Sequence, residues 1–284
     1  MSTTVPAPRS RQTAGRSGPR TKGTGMLDAL HAEWTKLRTV SGPAWLLLGV
    51  VALTAAVSAA ADGATHCPAG MNCPVDPAKL SLTGIQFGQA VVAILAVLVI
   101  CNEYSTGMIR TTFTAMPRRL LVYAAKAVIV AVVVLAAGAV AVLGSVLAGH
   151  LILPSHGFTA SRGFHPVWLS YGPALRAATG SVLYLALIAL LSLGIAALVR
   201  DSAVAIGAVL AILYLFPIIL AFVTDPAWQH RLERWTPTNA GLTIQATTGL
   251  RNLAISPWGG LGVLAIWAGA ALLAGGMMLR VRNA

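Results

Sequence analysis

Charged residues are scarce in this sequence of 284 residues, where Asp, Glu, Lys and Arg together make up 10% and hydrophobic residues 56%. A soluble domain usually carries about 25% charged residues, which cover its water-facing surface. Acidic residues are the rarest, with eight Asp and Glu against twenty Lys and Arg. This composition argues against an ordinary soluble domain and favours a helical protein embedded in a membrane.

The motifs of several enzyme classes are also missing. The sequence has no His-Glu-x-x-His of a zinc protease and no Gly-x-Ser-x-Gly of a serine hydrolase. None of its four lysines lies in the Gly-x-x-x-x-Gly-Lys-Ser/Thr loop that binds nucleotide phosphates. We therefore expect no enzyme activity, cofactor or metal site in this chain, and any ATP hydrolysis would belong to a separate subunit.

Six long apolar runs are what the sequence does contain. They are Trp45–Ala61, Ile85–Cys101, Lys126–Gly149, Ala177–Val199, Ala203–Val223 and Gly259–Leu279. A helix needs about 20 residues to cross a bilayer core of about 30 Å. The runs predict an all-α, polytopic membrane protein rather than the buried helices of a large soluble core. Because only Lys126, at an edge, interrupts the apolar character, we expect no ionisable group within the spans and no ion-coupled transport.

Basic residues predict the orientation, because cytoplasmic loops carry an excess of Lys and Arg. With the N-terminus inside, the cytoplasmic parts hold fourteen Lys and Arg and the three external loops hold six. We therefore expect both termini in the cytoplasm and the protein in the plasma membrane. The external loops of this topology are residues 62–84, 150–176 and 224–258.

Residues 1–25 differ in composition from the remainder. They contain Arg9, Arg11, Arg16, Arg20 and Lys22, many Pro, Gly, Ser and Thr, and no acidic residue. We expect a disordered cytoplasmic tail near anionic lipid, and neither a signal peptide nor a nucleic-acid-binding arm. Residues 26–284 are expected to form one membrane domain.

Two of the three cysteines, Cys67 and Cys73, lie in the first predicted external loop. Disulfides form and persist outside the cell, so we expect the two to be bridged. Two free thiols in a mobile loop are the alternative.

A short amphipathic segment, residues 26–38, precedes the first span. One face of the predicted helix holds Leu27, Leu30, Trp34 and Leu37. The segment is too short to span, so we expect it to lie in the membrane interface with Trp34 at headgroup level. Ser41, Gly42 and Pro43 are expected to end it, and a cytoplasmic extension of the first span is the alternative.

The loop after the second run mixes apolar and polar residues. Gly107 allows a bend, and residues 109–115 can form a short helix that Pro117 ends. Apolar residues beside arginines on such a helix suit docking to a soluble partner, and a solvated loop is the alternative. The last external loop, with three Trp and three Pro, is expected to form short helices that dip into the outer leaflet.

Two short motifs and the six-span pattern resemble the type-2 ABC exporter permease family (ABC-2), especially its actinobacterial members. The motifs are Glu33-Trp34-Thr35-Lys36-Leu37-Arg38 and Glu103-Tyr104-x-x-Gly107-Met108-Ile109-Arg110-Thr111-Thr112 with Pro117-Arg118-Arg119. The resemblance covers residues 26–284. It implies that residues 26–38 form an elbow helix, that the segment after the second span is a coupling helix, and that the last external loop is re-entrant.

By this resemblance, the coupling segment contacts a soluble ATPase subunit through Glu103, Tyr104, Gly107, Met108, Ile109, Arg110, Thr111, Thr112, Phe113, Pro117, Arg118 and Arg119. The implied protein is the permease subunit of an exporter, paired with a second copy or a paralogue and surrounded by membrane lipids. The apolar spans favour a lipid-like, amphipathic or drug-like substrate. The alternative function is a non-transporting membrane scaffold, sensor or immunity protein.

Overall fold

The computed structural model describes residues 25–68, 73–105, 119–222 and 224–281, and all regular structure in these ranges is helical. The α-helices are α1 (Met26–Thr39), α2 (Ser41–Ala64), α3 (Pro77–Ser81), α4 (Ile85–Ser105), α5 (Arg119–Ile152), α6 (Gly172–Val199), α7 (Ser202–Leu210), α8 (Phe216–Ala221), α9 (Pro226–Trp235), α10 (Pro237–Leu242) and α11 (Pro257–Val281). A π-helical segment, Ala211–Leu215, joins α7 to α8. Short 3₁₀ turns occupy Leu153–His156, Ala160–Arg162, Thr243–Gln245 and Leu250–Asn252.

Six helical stretches within the described ranges are long and apolar enough to cross a membrane, which confirms the prediction of a multi-pass, all-helical membrane protein. They are Ser41–Ala64, Pro77–Glu103, Leu120–His156, Gly172–Val199, Ser202–Ile219 and Pro257–Val281. All six begin before the corresponding apolar runs, and four of them also end after those runs. Hydropathy alone ends a run at the first charged residue, whereas the first span continues past Asp62, whose side chain is buried.

The helix α6 forms the centre of the bundle, where it packs against α4, α5 and α11. Within the most apolar part of each span, 61% of the residues of α4 and α6 are buried, against 17% for α2. Tyr184 of α6, fully buried, donates a hydrogen bond to the side chain of Gln89 in α4. The outer helices present apolar faces to the surroundings, as a lipid environment requires.

Two glycines allow α6 and α11 to approach closely. A Cβ atom built on Gly194 would lie 2.5 Å from the carbonyl carbon of Ala271, and one built on Gly275 would lie 2.9 Å from the carbonyl oxygen of Gly194. Small residues at such crossings let helix backbones pack together, which provides dispersion energy in a medium without a hydrophobic effect. The crossing therefore depends on the absence of side chains at these positions.

The break between α1 and α2 lies one residue earlier than predicted. Val40, with φ −94° and ψ 124°, is extended and separates the two helices. Ser41, Gly42 and Pro43 do not interrupt the chain but form the first turn of α2. Proline is compatible with a first turn because the N–H groups there have no acceptor within the helix.

The two ends of the bundle are called here the α1 end and the disulfide end. The helix α1, the last turns of α4, α6 and α11 and the beginnings of α2, α5 and α7 lie at the α1 end. Between α6 and α7, Arg200 adopts a left-handed conformation with φ 64°, and the Asp201 side chain accepts a hydrogen bond from the N–H of Val204. Arg200 and Asp201 alone separate the two helices, so the turn between them is tight.

The fifth span is widened around Pro217, which has no N–H to donate to the carbonyl of Leu213 four residues earlier. The chain responds with a π-helical turn, in which the N–H of Phe216 donates to the carbonyl of Ala211. The buried hydroxyl of Thr238, from α10, donates to the Leu213 carbonyl at 3.2 Å. A side chain from the segment after α8 thus replaces the hydrogen bond that proline removes.

We expect Thr238→Val to lower the free energy of unfolding by about 1–3 kcal/mol, because it leaves the buried Leu213 carbonyl without this donor. In a Pro217→Ala background the same substitution is expected to cost less, since an alanine in place of the proline restores a backbone donor. Denaturant titration in bicelles measures the double-mutant cycle. Thr179→Val is the matched control, because the exposed Thr179 hydroxyl bonds only within its own helix. Equal costs of Thr238→Val in both backgrounds would contradict the assignment.

Candidate functional site

Four charged side chains meet at the α1 end and are called here the charge cluster: Glu33 and Lys36 of α1, Glu103 of α4 and Lys126 of α5. The Nζ atom of Lys126 lies 2.6 Å from Oε2 of Glu33 and 2.7 Å from Oε1 of Glu103. The Nζ atom of Lys36 lies 3.1 Å from Oε1 of Glu33 and 2.9 Å from Oε1 of Glu103. Positive and negative groups therefore alternate in a closed ring whose formal charges cancel.

The charge cluster is largely removed from solvent. Glu33 is 5% exposed, Lys126 6% and Glu103 7%. Burial of an isolated charge is costly, and it is tolerated where the charge is paired and hydrogen-bonded. Each of the four groups here has two partners of opposite sign, so the ring itself satisfies the requirement that burial imposes.

Lys36 is the most exposed member of the charge cluster. Burial by itself would lower the pKa of Lys36, but its hydrogen bond to Glu103 and the negative charges of Glu33 and Glu103 outweigh this, so the pKa is raised above its ordinary value. The ammonium group is therefore charged at neutral pH.

The helix α1 directs Glu33 and Lys36 towards the bundle and leaves part of its apolar surface exposed. Glu33 and Lys36 are three residues apart and lie on one face, which α1 packs against α5 and α2. On the other side Leu27 is 80% exposed and Trp34 46% exposed. An outward apolar face suits a helix that lies along a membrane, although its placement in the interface remains a prediction.

The sequence contained a signal for the charge cluster, but only in part. Lys126 stands out at the edge of an apolar run, and Glu103 follows the preceding run closely. The sequence does not predict the ion pairs, because neither position indicates which residue is its partner. Lys126 lies 93 positions from Glu33 and 23 positions from Glu103.

Most of the segment predicted to contact an ATPase lies outside the described residues. This applies to Gly107, Met108, Ile109, Arg110, Thr111, Thr112, Phe113, Pro117 and Arg118. Tyr104 belongs to the last turn of α4, and Arg119 is the first residue of α5. The Glu103 side chain is buried and accepts hydrogen bonds from Lys36 and Lys126, and its contact with an ATPase remains a prediction.

The expectation that the spans hold no ionisable group is wrong at their ends. The first span continues to Ala64 and so includes Asp62, and the second includes Glu103. Asp62 is fully buried, and its Oδ1 accepts a hydrogen bond of 3.1 Å from the Ser81 hydroxyl. The apolar run ends at Ala61, so hydropathy excluded the next residue although the helix contains it.

The disulfide end is held together by polar contacts between loops. Cys67 and Cys73 form a disulfide. The Asp76 carboxylate caps α3 and also accepts hydrogen bonds from the Thr247 hydroxyl at 2.6 Å and the Thr248 N–H at 3.0 Å. Arg162 donates to the carbonyl of Cys67 at 2.7 Å. The first and last predicted external loops are thereby joined.

Short helices occupy the last predicted external loop, as expected. The helix α9 is amphipathic, and α10 with its following 3₁₀ turn packs against α6 and α11. Trp228, Trp235 and Trp258 are each more than half exposed. Their placement in the outer leaflet remains a prediction.

The chemistry available in the charge cluster is that of a structural link. Its carboxylates and ammonium groups are occupied by one another, and they join α1 to α4 and α5. Within the described ranges, His, Cys, Asp and Glu form no group of three or more that could hold a metal ion. A comparison of the sequence with models of known protein families and with curated proteins finds no match.

Proposed function

We propose that this chain is the permease subunit of an ABC exporter and that a separate soluble ATPase drives it. The observation that supports this proposal is the charge cluster. It fastens α1 to the end of α4 and the beginning of α5, the two helices that flank residues 106–118. A partner that displaces this loop would therefore displace three helices together.

The helix α5 can carry such a displacement through the whole bundle. It contains 34 residues and is about 50 Å long at a rise of 1.5 Å per residue. It packs against α2 and α6. A movement at the α1 end would therefore reach the disulfide end without the bending of a loop.

The free energy for the movement comes from the partner in this proposal. The ATPase can shift the permease between two states only by as much as its contacts differ between them. Two permeases would then rock against each other and change access to a path between them. The exposed apolar side chains of α7 and α8, among them Val204, Phe216 and Ile218, offer surface for lipid or for the second permease.

The proposal places the α1 end in the cytoplasm and the disulfide end outside the cell. A disulfide persists in an oxidising compartment and is rare in the cytosol. The Cys67–Cys73 bridge supports this orientation independently of the excess of basic residues that predicts it.

We expect the full-length chain in nanodiscs to form a stable complex with a soluble ATPase, and a gene next to that of this chain is the first candidate. Arg110→Glu/Arg118→Glu is expected to abolish co-purification, because it reverses two charges in the predicted contact segment. The double variant Arg231→Glu/Arg234→Glu makes the same change on α9, in the last predicted external loop, and is expected to leave the complex intact.

Two results would contradict the proposal. One is purification of the folded chain without an ATPase under conditions that preserve membrane complexes. The other is equal binding by both charge-reversal variants. The first result would favour the alternative of a scaffold, sensor or immunity protein without a transport role, and the second would show that the ATPase does not bind through Arg110 and Arg118.

A further inference from the structure

A groove lies beneath α1, between that helix and the spans that it crosses. It has a volume of 300 Å³, within the range of ligand pockets, and its walls come from α1, α2, α4 and α5. Apolar side chains form most of the surface: Leu37, Pro43, Ala44, Leu47, Leu95, Val130 and Val133. Trp34 and Arg38 complete the lining.

Arg38 is the charged residue of this groove. Its side chain is exposed, and none of the salt bridges formed within the described ranges includes it. A guanidinium group binds phosphate oxygens through two parallel N–H donors. The groove thus combines an apolar interior with a positive charge that no carboxylate of the described residues compensates.

A second cavity of 450 Å³ shares Leu37, Pro43 and Leu95 with this groove but has a different electrostatic character. Its polar end is the charge cluster, in which Lys36 and Lys126 are balanced by Glu33 and Glu103. A negatively charged ligand would gain little there, because each positive group already has two carboxylate partners. Because the positive charge of Arg38 is not neutralised in this way, an anion is expected to bind in the Arg38 groove rather than in the second cavity.

We propose that the Arg38 groove binds one anionic phospholipid of the adjacent membrane leaflet. An acyl chain lies against Leu47, Val130 and Val133, and the phosphate accepts hydrogen bonds from the Arg38 guanidinium. Trp34, at the mouth, is at the level of the headgroup, where tryptophan is favoured. A bound lipid fills the space between α1 and the spans and so holds the elbow against the bundle. This role does not depend on transport activity.

A photoactivatable phosphatidylglycerol with a diazirine on its acyl chain tests the proposal in vesicles of phosphatidylcholine that contain the full chain. We expect cross-links on peptides of α2 and α5 that line the groove. Arg38→Gln is expected to lower their yield about fivefold, the effect of one basic residue on binding of an anionic lipid. Arg251→Gln, which removes the same charge at the disulfide end, should leave the yield unchanged. With the unchanged protein, a phosphatidylcholine probe should label these peptides as weakly as the phosphatidylglycerol probe labels them in Arg38→Gln.

A steric pair of variants tests the acyl-chain position. Val133→Trp fills the groove and should abolish the cross-links, whereas Val132→Trp places the same side chain at an exposed position of α5 and should not. Formation of the Cys67–Cys73 disulfide and a monodisperse elution profile show that both variants fold. Equal labelling by anionic and zwitterionic probes, equal effects of the two arginine variants, or labelling that persists in Val133→Trp would each overturn the proposal and indicate only annular lipid.

Discussion

Lys126→Met is expected to destabilise the chain by about 3–5 kcal/mol, the cost of removing one partner from a buried ion pair. Lys126 is the member of the charge cluster that contacts both carboxylates at less than 3 Å while being itself buried. Without it, Glu33 and Glu103 share Lys36 alone, and two buried negative charges face one positive charge. An equilibrium unfolding titration in bicelles measures the loss.

A charge-balanced double variant separates this electrostatic penalty from lost packing. Lys126→Met/Glu103→Gln removes one charge of each sign and leaves the Glu33–Lys36 pair, so we expect it to be more stable than Lys126→Met alone. Lys79→Met is the matched control, because Lys79 is exposed and belongs to no salt bridge within the described ranges. It should change stability by no more than about 0.5 kcal/mol. If the separate effects of Lys126→Met and Glu103→Gln add up to the effect of the double variant, Lys126 and Glu103 do not interact.

Gly194→Ala is expected to destabilise the bundle by about 1–3 kcal/mol, although alanine is intrinsically the better helix former. The new Cβ atom would lie 2.5 Å from the carbonyl carbon of Ala271 and 2.7 Å from the backbone nitrogen of Leu272. Both are backbone atoms, which cannot rotate away as the end of a side chain does. The helices α6 and α11 would have to separate and lose contact.

Gly262→Ala provides the matched comparison on α11 itself. No heavy atom outside the local helix backbone lies within 4 Å of the Cβ position at Gly262, so alanine meets open space there. We expect this variant to be as stable as the unchanged protein or more stable by up to about 1 kcal/mol, the difference in helix propensity. Thermal unfolding of the two variants in the same detergent compares them. If both were equally stable, the close approach of α6 and α11 would be refuted.

The number of spans and the short helix before them could be predicted from the sequence. A run of about 20 apolar residues predicts a membrane-spanning helix, because each residue contributes to the free energy of transfer into lipid independently of the others. The spacing of Leu27, Leu30, Trp34 and Leu37 likewise predicts a helix, and α1 covers them. These are local properties, which the chain expresses without reference to its fold.

The ends of the spans could not be predicted in the same way. Hydropathy assigns Asp62 to a loop, because a hydropathy value takes no account of the groups that surround a charged side chain in the folded protein. In the bundle Ser81 provides a hydrogen-bond donor, and α2 continues past Asp62 to Ala64. The π-helical turn before Pro217 shows the same dependence, since the proline is visible in the sequence but the donor from Thr238 is not.

In the candidate site, the positions of the charged residues could be predicted from the sequence, but their contacts could not. The sequence by itself determined that charges would be few, and it placed Glu33, Lys36, Glu103 and Lys126 at or beyond the ends of the apolar runs. Only the tertiary structure decided that these four side chains meet, because pairs such as Lys36 and Glu103, 67 positions apart, come together through the packing of α1 against the bundle. Hydropathy is a property of single residues, whereas the balance of a buried charge is a property of the groups that surround it.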